Sequence, residues 1–370
     1  MSRPISITID LDAIRQNFDY AHTVGNTASG NNSQTLAVIK ADAYGHGAVA
    51  TARALANKAN LLAVSSIEEA VILRQNHIRS PILLLEGCFC ASELSVVDDL
   101  GLQIVIHSQE QIHDLLSAEL SKPINVWLKL DSGMHRLGVP LTDSLGVYQT
   151  LSNNQNVSSI VLMTHFATSD IPDHPLGIQQ LDNFKIAVAA ISQSKVRIPT
   201  SLANSAAIMA IPDSHGTWNR PGIMLYGISP FDQQNTLALP LVPAMQFCSK
   251  VIAIRNVNAG DPVGYGASWI ANKPSIIATV AAGYGDGYPR TAKSGTPVLI
   301  NGKIAPLAGR VSMDMLCVDV THLDNVLVGA EVELWGKQLS VNEVAKWSDT
   351  LGYELVTRMP TRAKRIFINQ

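Results

Sequence analysis

The feature that most constrains the fold is a repeated alternation of short apolar segments with helical patterns. The apolar segments have the length and near-continuous hydrophobicity of strands in a parallel sheet that is covered on both faces. In chain order they are Thr35–Lys40, Leu61–Val64, Pro81–Leu85, Leu102–His107, Ile124–Leu130, Ser159–His165, Arg197–Leu202 and Trp218–Gly227. Eight strands, each followed by a helix, is the count of a (β/α)8 barrel. An open doubly wound sheet is the alternative, and the count of eight favours the barrel.

One helical pattern precedes the first of these strands, and the others lie in the intervals between strands. They are Asp10–Val24, Ala48–Ala59, Ile67–Asn76, Ser92–Leu100, Gln109–Leu120, Thr142–Leu151 and Leu176–Ser192. Ser66, followed three residues later by Glu69, has the form of a capping box, in which each side chain bonds a backbone amide at the helix start. This pattern predicts that the third helix begins at Ser66.

The character of the sequence changes from about Pro230. Prolines in Leu239–Pro243 indicate a linker, and the segments beyond it are β-rich and separated by turn residues. These segments are Met245–Val257, Ser275–Ala282, Thr296–Asn301, Met315–Val320 and Ala330–Leu334, with one helix at Val341–Leu351 and a basic end at Arg362–Ile368. We therefore predict an α/β protein with a TIM-like (β/α)8 barrel over residues 1–235 and a mainly β domain over residues 236–370. The alternating segment Ile5–Ile9 is expected to form an extra strand outside the barrel.

Composition and charge exclude several classes of protein. Hydrophobic residues make up 46% and charged residues 15% of the 370 residues, so the chain can bury a large core and is no candidate for disorder. A net charge of −3, with no basic run, gives no electrostatic footprint for nucleic acid. We see no signal-peptide pattern, no segment of membrane-spanning length and no metal or redox spacing among the four cysteines. The expectation is a reduced cytoplasmic protein without a metal site.

Polar side chains stand at nearly every predicted strand end, which is where a barrel collects its functional residues. They are Lys40, Ser65, Glu86, His107, Lys129 with Asp131, His165, Asn204 with Ser205, and Arg220. Lys40 is the most unusual, because it ends a buried strand. Desolvation there disfavours an ammonium, and a neutral amine is what Schiff-base chemistry requires. Taken alone, the more common interpretation is a lysine that extends from the strand end to water.

Other segments have both a functional and a purely structural interpretation. A glycine turn brings Arg136 back toward the end of the fifth strand. Its planar guanidinium suits a carboxylate ligand, but Arg136 could equally belong to a salt-bridged loop. A lone histidine such as His165 is more often structural, and Ser205 is more often an ordinary helix cap than an anion ligand. Tyr265 lies between two glycines, which indicates a tight exposed turn. The glycine-rich segment Gly283–Arg290 precedes no helical pattern, so a dinucleotide loop is rejected.

Taken together, the motifs resemble those of the alanine racemases that depend on pyridoxal phosphate. Lys40-Ala-Asp-Ala-Tyr44-Gly-His-Gly is similar to the segment that carries the cofactor lysine in that family. Seven matching residues follow in the family's order: Lys40, Arg136, His165, Ser205, Arg220, Tyr265 and Asp314. The resemblance runs from the strand before Lys40 to the end of the chain.

The resemblance implies a role for each matching residue. Those implied to hold pyridoxal 5′-phosphate are Lys40, Tyr44, His165, Asn204, Ser205, Arg220, Gly222, Ile223 and Tyr353. Those implied to bind the substrate are Arg136, Met313 and Asp314, and Lys129 is implied to be a carbamate that orients Arg136. The channel by which substrate enters would be lined by Asp170, Tyr284, Arg290 and Arg310. Lys40 and Tyr265 would be the two catalytic bases.

The reaction implied is the interconversion of L-alanine and D-alanine. Two bases on opposite faces of the substrate exchange the α-proton without rotating it, and Tyr265 is implied to reach the barrel of a partner subunit, which makes the protein a homodimer. A racemase of broader specificity that includes serine is the alternative, since one methylene is worth only about 1–3 kcal/mol. The sequence leaves open whether D-alanine is supplied for cell-wall synthesis or L-alanine is broken down.

Two further alternatives belong to other classes. A basic amino-acid decarboxylase shares the two-domain plan, but Arg220 stands where that class is expected to offer an acidic residue to the pyridine nitrogen. A non-catalytic pyridoxal-phosphate binding protein consists of a single barrel and lacks the domain that contains Tyr265. The segments Ile171–Pro175 and Cys88–Cys90 have no interpretation from the sequence.

Overall fold

A computed structural model describes residues 3–27, 33–192 and 198–370. The chain begins with β1 Ser6–Asp10, which lies outside the barrel. The larger sheet is parallel and consists of β2 Gln34–Val38, β3 Leu61–Val64, β4 Ile82–Leu84, β5 Gln103–Ile106, β6 Ile124–Asp131, β8 Val157–Met163, β9 Thr200–Ser201 and β10 Trp218–Asn219, and the short β7 Val139–Pro140 pairs with β6 outside this series. Neighbours in the sheet follow chain order from β2 to β9, and β10 pairs back onto β2. A doubly wound sheet would reverse its order at a switch point, so the barrel prediction is confirmed.

Side-chain and backbone contacts bridge the one seam where β9 and β10 form no ladder. Ser201 Oγ donates to the Trp218 carbonyl over 2.9 Å, and the Arg220 amide donates to the Ala203 carbonyl over 2.9 Å. Side chains fill the interior below the mouth, with Trp127 fully buried among aliphatic residues of the other strands. The barrel is therefore a packed core with its open end at the carboxyl ends of the strands.

The last two predicted barrel strands are shorter in the structure. Of the predicted seventh strand, Arg197–Leu202, only Thr200–Ser201 is strand, and Arg197 lies outside the described residues. The predicted eighth strand, Trp218–Gly227, ends at Asn219, and a 3₁₀ turn occupies Ile223–Tyr226. Apolar composition cannot distinguish a buried strand from a buried turn over so few residues.

The helices lie near their predicted positions. They are α1 Leu11–Thr27, α2 Ala48–Ala54, α3 Ile67–Gln75, α4 Glu93–Leu100, α5 Gln109–Ser117, α6 Ser144–Ser152, α7 Pro175–Ile191 and α8 Ser205–Ala210, with α9 Val341–Trp347 and α10 Gly352–Thr357 in the second half. The predicted helices Ala48–Ala59 and Val341–Leu351 both end early, and the second is followed by the separate α10. Helix α3 begins directly after Ser66, as predicted.

The predicted capping box at the start of α3 is wrong. Ser66 occupies the cap position, but its side chain makes no capping hydrogen bond. The Glu69 carboxylate accepts from the amides of Ser65 and Ala41 instead. A residue from the neighbouring strand end competes for the carboxylate, and the sequence spacing carries no information about that neighbour.

The second sheet joins β1 to strands from the second half of the chain. These are β11 Met245–Val257, β14 Ser275–Val280, β15 Pro297–Ile300, β16 Lys303–Pro306, β17 Leu316–Asp319, β18 Glu331–Trp335 and β19 Lys364–Ile368, while β12 Pro262–Val263 and β13 Trp269–Ile270 form a separate hairpin. The sheet runs in the order β16-β15-β18-β11-β1-β19, and β14 pairs with β11 and with β17. Strand β11 matches its predicted bounds, whereas β16 and β19 lie where no strand is predicted.

The chain's N-terminal strand lies outside the barrel, as expected. β1 pairs antiparallel with β11 and parallel with β19, so it joins both chain ends to the second sheet. Residues 6–10 fall within the predicted first domain, residues 1–235, yet they hydrogen-bond to the second sheet. No helix in the described ranges combines the length and apolar character needed to cross a bilayer.

Candidate active site

A cavity of about 1030 Å³ opens at the carboxyl ends of the barrel strands. Twelve of the residues predicted for the site line it: Lys40, Tyr44, Lys129, Arg136, His165, Asp170, Asn204, Ser205, Arg220, Gly222, Ile223 and Tyr353. All come from barrel strand ends or the loops after them except Tyr353, which α10 contributes from the second half of the chain. The structure thus brings together in one space residues that are more than 300 positions apart in sequence.

Lys40 begins a left-handed helical turn, which no local pattern in the sequence predicts. Ala41, Asp42, Ala43 and Tyr44 all have φ between 52° and 54°. A residue with a Cβ atom costs about 1–2 kcal/mol in this conformation, so the surrounding structure must hold the turn in place. The turn spans Lys40–Tyr44, and both of these end residues line the cavity.

Several groups around the turn satisfy its backbone and charges. Asp42 accepts from the Ala48 amide over 2.8 Å and pairs with Arg365 of β19 at 2.7 Å. His46 is fully buried and its Nδ1 lies 2.9 Å from the Tyr44 carbonyl, so the proton on Nδ1 is donated there. Burial lowers the pKa of His46 to about 4. The ring is therefore neutral at physiological pH and acts as a fixed hydrogen-bond donor.

Lys129 is almost fully buried among other cations. Burial, followed by the nearby charges of Arg220, Arg136 and Lys40, lowers the pKa of Lys129 to about 8. A neutral amine is therefore far more accessible at Lys129 than at an exposed lysine. Asp131, at the end of the same strand, accepts from the amides of Gly133 and His135 and so shapes the turn that leads to Arg136.

Arg220 is buried and held by four acceptors. Its Nη1 donates to Ser201 Oγ over 2.8 Å; its Nη2 donates to the carbonyls of Thr164 and Leu202 and to His165 Nδ1, the last over 3.2 Å. Burial lowers the pKa of Arg220 to about 10, which still leaves it protonated at neutral pH. Its orientation is thus fixed by the strand ends of the barrel.

Ser205, Gly222 and Tyr44 meet where the loop after β10 approaches the start of α8. Ser205 Oγ accepts from the Gly222 amide over 2.9 Å, and a Cβ atom at Gly222 would lie 2.8 Å from Tyr44 Oη. Glycine is therefore required for this close approach. Burial raises the pKa of Tyr44 to about 12, which keeps its hydroxyl a donor. The ring of Tyr353 lies 6.3 Å from that of Tyr44, on the same side of the cavity.

Asn204, predicted as a cofactor ligand, uses its side-chain oxygen locally. It caps α8 by accepting from the Ala207 amide and also accepts from Ser169 Oγ. A structural role as the helix cap therefore accounts for the hydrogen bonds of the Asn204 side-chain oxygen.

The remaining predicted residues lie outside the cavity, in the second half of the chain. Tyr265 is 66% exposed, and positive φ values at Gly264 and Gly266 confirm the tight turn around it. Tyr284, Arg290, Arg310 and Met313 are also exposed, and Asp314 is ion-paired with Arg362. A Cβ atom at Gly266 would lie 3.1 Å from Arg310 Nη1, so Tyr265 and Arg310 belong to one surface. Within one chain, Lys40 and Tyr265 are not brought together in the cavity.

The structure adds supporting residues that no sequence motif singles out. Asp286 is fully buried and pairs with Arg3 at 2.6 Å and with Arg362 at 3.3 Å, and the same two arginines contact Asp314. Ser201 and Thr164 hold Arg220 in a similar way. These partners lie far apart in the chain, so no spacing or motif could have indicated them.

Comparison with known proteins gives a consistent result over the whole chain. The family of alanine racemase N-terminal domains matches residues 9–230, and that of alanine racemase C-terminal domains matches residues 244–367. The alanine racemase of Pseudoalteromonas atlantica is 68% identical, with all of both chains covered.

Solved structures agree. The crystal structure of the biosynthetic alanine racemase from Pseudomonas aeruginosa superposes with a TM-score of 0.92 at 46% identity, covering 99% of each chain. The alanine racemase of Bartonella henselae, solved with covalently bound pyridoxal phosphate, superposes with a TM-score of 0.85 at 30% identity and covers 99% of each chain.

Proposed function

The chain belongs to the alanine racemase family and interconverts L-alanine and D-alanine, and on this premise we propose that it uses pyridoxal 5′-phosphate and two bases, Lys40 and Tyr265. Membership of this family over both halves of the chain excludes the basic amino-acid decarboxylase and the single-barrel binding protein. No observation favours serine over alanine as substrate.

The cavity suits the cofactor in its charge and its shape. The phosphate would lie in the cradle formed by Ser205, Tyr44 and the Gly222 and Ile223 amides, where a Cβ atom at Gly222 would intrude. The Gly222 amide, which donates to Ser205 Oγ in this structure, would then donate to the phosphate instead. Tyr353 would add a second hydroxyl, and Lys40 would hold the ring covalently. When bound, pyridoxal phosphate withdraws electrons from Cα of the attached amino acid and so makes its α-proton acidic.

Arg220 would face the pyridine nitrogen, and its fixed geometry supports this role. Arginine can only donate a hydrogen bond, so it keeps that nitrogen unprotonated. The electron withdrawal is then weaker than with an acidic partner, which disfavours side reactions such as transamination. His165 would extend the hydrogen-bond chain from Arg220 toward Tyr265.

The substrate carboxylate would be held by Arg136 and by the Met313 amide with Asp314. Lys129 would orient Arg136 as a carbamate: its neutral nitrogen adds to carbon dioxide and a proton is released. The lowered pKa of Lys129, about 8, supports this chemistry, because only the neutral amine reacts. A carbamate would also replace one of four crowded cations by an anion.

The two bases would act from opposite sides of the substrate. Deprotonated Tyr265 Oη would take the α-proton of L-alanine while protonated Lys40 Nζ delivers a proton to the other face. This leaves a phenol and a neutral amine, which are the forms that the two residues need to exchange roles for D-alanine. The observation that carries this proposal is the exposure of Tyr265 outside the cavity that holds Lys40. Tyr265 then serves the cavity of a second copy, together with Arg310, Met313 and Asp314, in a homodimer with shared sites. Asp170, Tyr284, Arg290 and Arg310 would line the channel between solvent and that site.

We place the enzyme in the cytoplasm, where its four free cysteines would remain reduced. D-alanine made there would be available for cell-wall synthesis.

The decisive experiment follows L-alanine in deuterated water with the enzyme loaded with pyridoxal phosphate. We expect approach to an equal mixture of enantiomers with deuterium at Cα. Tyr265→Phe should abolish this exchange from the L-isomer while leaving cofactor attachment to Lys40 intact. Unchanged racemisation by Tyr265→Phe would refute the two-base mechanism, and a cofactor trapped at another lysine would refute the site.

A further inference from the structure

Glu69 makes an unusual pair of hydrogen bonds for a helix residue. Its Oε1 accepts from the Ala41 amide over 2.6 Å and its Oε2 accepts from the Ser65 amide over 2.7 Å. Ser65 directly follows β3, and Ala41 directly follows Lys40, which stands two residues after the end of β2. One carboxylate on α3 therefore joins the carboxyl ends of two neighbouring barrel strands.

The contact with Ala41 lies where the backbone enters a left-handed helical conformation. Ala41 is the first residue of the left-handed turn, with φ of 52° and ψ of 52°. The direction of its N–H is the direction of the peptide plane that follows Lys40. A charge-assisted hydrogen bond to that N–H therefore fixes how the chain leaves β2 and where the Lys40 side chain starts.

Capping of its own helix does not explain the hydrogen bonds of Glu69. A capping box would place its carboxylate on the Ser66 amide, yet both oxygens bond elsewhere. Glu68, the adjacent residue on α3, is exposed and makes neither contact. The two glutamates thus share the helix, its first turn, the charge and the intrinsic helix propensity, but only Glu69 bonds the Ala41 and Ser65 amides.

We infer that Glu69 is a positioning residue for Lys40, which holds the first peptide of the left-handed turn so that the lysine amine enters the cavity. The inference rests on the proposed role of Lys40 as cofactor lysine and catalytic base. Asp42 and His46 hold the later part of the turn, so loss of Glu69 should loosen its start and leave the rest of the fold intact.

The substitution Glu69→Gln tests this directly. An amide side chain offers one acceptor oxygen, so one of the two backbone amides must lose its partner or face an N–H group. Glu68→Gln is the matched control, because it removes the same charge from the same helix without touching Ala41 or Ser65.

The first readout is hydrogen–deuterium exchange over residues 39–47, measured by mass spectrometry on the full chain before pyridoxal phosphate is added. We expect exchange in Glu69→Gln to be faster by about tenfold, as befits a lost charged hydrogen bond, and unchanged in Glu68→Gln. The second readout is kinetic: kcat should fall by about 10- to 100-fold with KM within about twofold, since a displaced catalytic group affects the reaction step more than binding.

The third readout is the rate at which pyridoxal phosphate becomes attached to Lys40, trapped by borohydride, which should also fall in Glu69→Gln. Equal exchange, kcat and attachment rates in the two variants would overturn the inference, and so would faster exchange with unchanged kcat and attachment. If Glu69→Gln does not fold, Glu69→Asp is measured in the same way; it keeps the charge but is too short to reach both amides.

Failure of the proposed function has a different signature. It would appear in the wild-type chain as a cofactor that does not attach to Lys40. The exchange comparison, which uses no cofactor, would still report whether Glu69 holds the turn.

Discussion

Arg220 Nη2 lies 3.2 Å from His165 Nδ1, and this contact fixes the tautomer of the histidine. A guanidinium has no acceptor, so His165 Nδ1 must accept and the ring proton must sit on Nε2. Burial, reinforced by the charges of Arg220 and Lys129, lowers the pKa of His165 well below its usual value. His165 is therefore a neutral donor through Nε2 across the working pH range, and one arginine sets that state.

Replacing Arg220 by lysine should cost both stability and activity. An ammonium cannot span the acceptors on both sides of the guanidinium, so buried acceptors at Ser201 or Thr164 lose their donor, at about 1–3 kcal/mol each. Urea unfolding should show this loss, and kcat should fall at least about tenfold as His165 loses its fixed tautomer. Arg358→Lys, at an exposed ion pair with Glu354, is the control and should change neither quantity. A stable, fully active Arg220→Lys variant would contradict the assigned role.

Lys129 should make stability depend on pH in a defined window. Its pKa is about 8 in the folded chain against 10.5 for an unperturbed lysine, so between these values the unfolded chain binds more protons. Stability therefore rises with pH across that window, by up to about 3 kcal/mol, and the penalty is fully present below pH about 8. Lys129→Met should lack this rise. Urea unfolding at several pH values, in buffer free of carbon dioxide, measures the difference between the two chains.

Added bicarbonate should change the stability of the wild-type chain but not that of Lys129→Met. A carbamate at Lys129 would remove the buried cation, so the stability difference at neutral pH should shrink and the intact mass should increase by one carbon dioxide. Density for a plain ammonium in crystals grown with bicarbonate would contradict the carbamate.

Gly222→Ala should weaken cofactor binding. The new Cβ atom would lie 2.8 Å from Tyr44 Oη, inside the proposed phosphate cradle, so the Kd for pyridoxal phosphate should rise at least about tenfold. Gly146→Ala is the matched control: it lies in α6 with nothing within 4 Å of the added atom, and should leave Kd unchanged while stabilising the helix by about 0.5–1 kcal/mol. Equal Kd values in both variants would place the phosphate elsewhere.

Two inactive chains should restore activity when mixed, if Tyr265 serves the partner's cavity. A dimer of one Lys40→Ala chain and one Tyr265→Phe chain keeps one intact site, built from Lys40 of one chain and Tyr265 of the other. Random pairing should therefore give about a quarter of wild-type activity. Co-expression followed by a racemisation assay measures this, and a mixture no more active than either parent would show that each site is built within one chain.

Local patterns predict most elements well because a strand or helix is encoded by its own periodicity. Met245–Val257 has the predicted ends, and most barrel strands lie within a few residues of theirs. Strand ends are also sufficient to nominate Lys40, Lys129, His165 and Arg220, since in a barrel the ends of parallel strands meet at one mouth. Motif resemblance adds Tyr265, whose role stays a prediction.

What local patterns miss depends on partners distant in the chain. The spacing of Ser66 and Glu69 favours a capping box, but the carboxylate bonds the Ala41 amide instead. Four consecutive left-handed residues after Lys40 contradict every local preference and persist because tertiary contacts hold them.

By itself, then, the sequence determined the order of the elements, the barrel and the residue types at its mouth, because these follow from short-range periodicity and from the side chain at each strand end. Only the tertiary structure decided which of those groups share a space and a charge environment. It lowers the pKa of Lys129 by burial among three cations, fixes His165 through Arg220, and leaves Tyr265 exposed outside the cavity that holds Lys40. Desolvation and long-range hydrogen bonding arise only when distant segments pack, so no pattern of neighbouring residues could supply them.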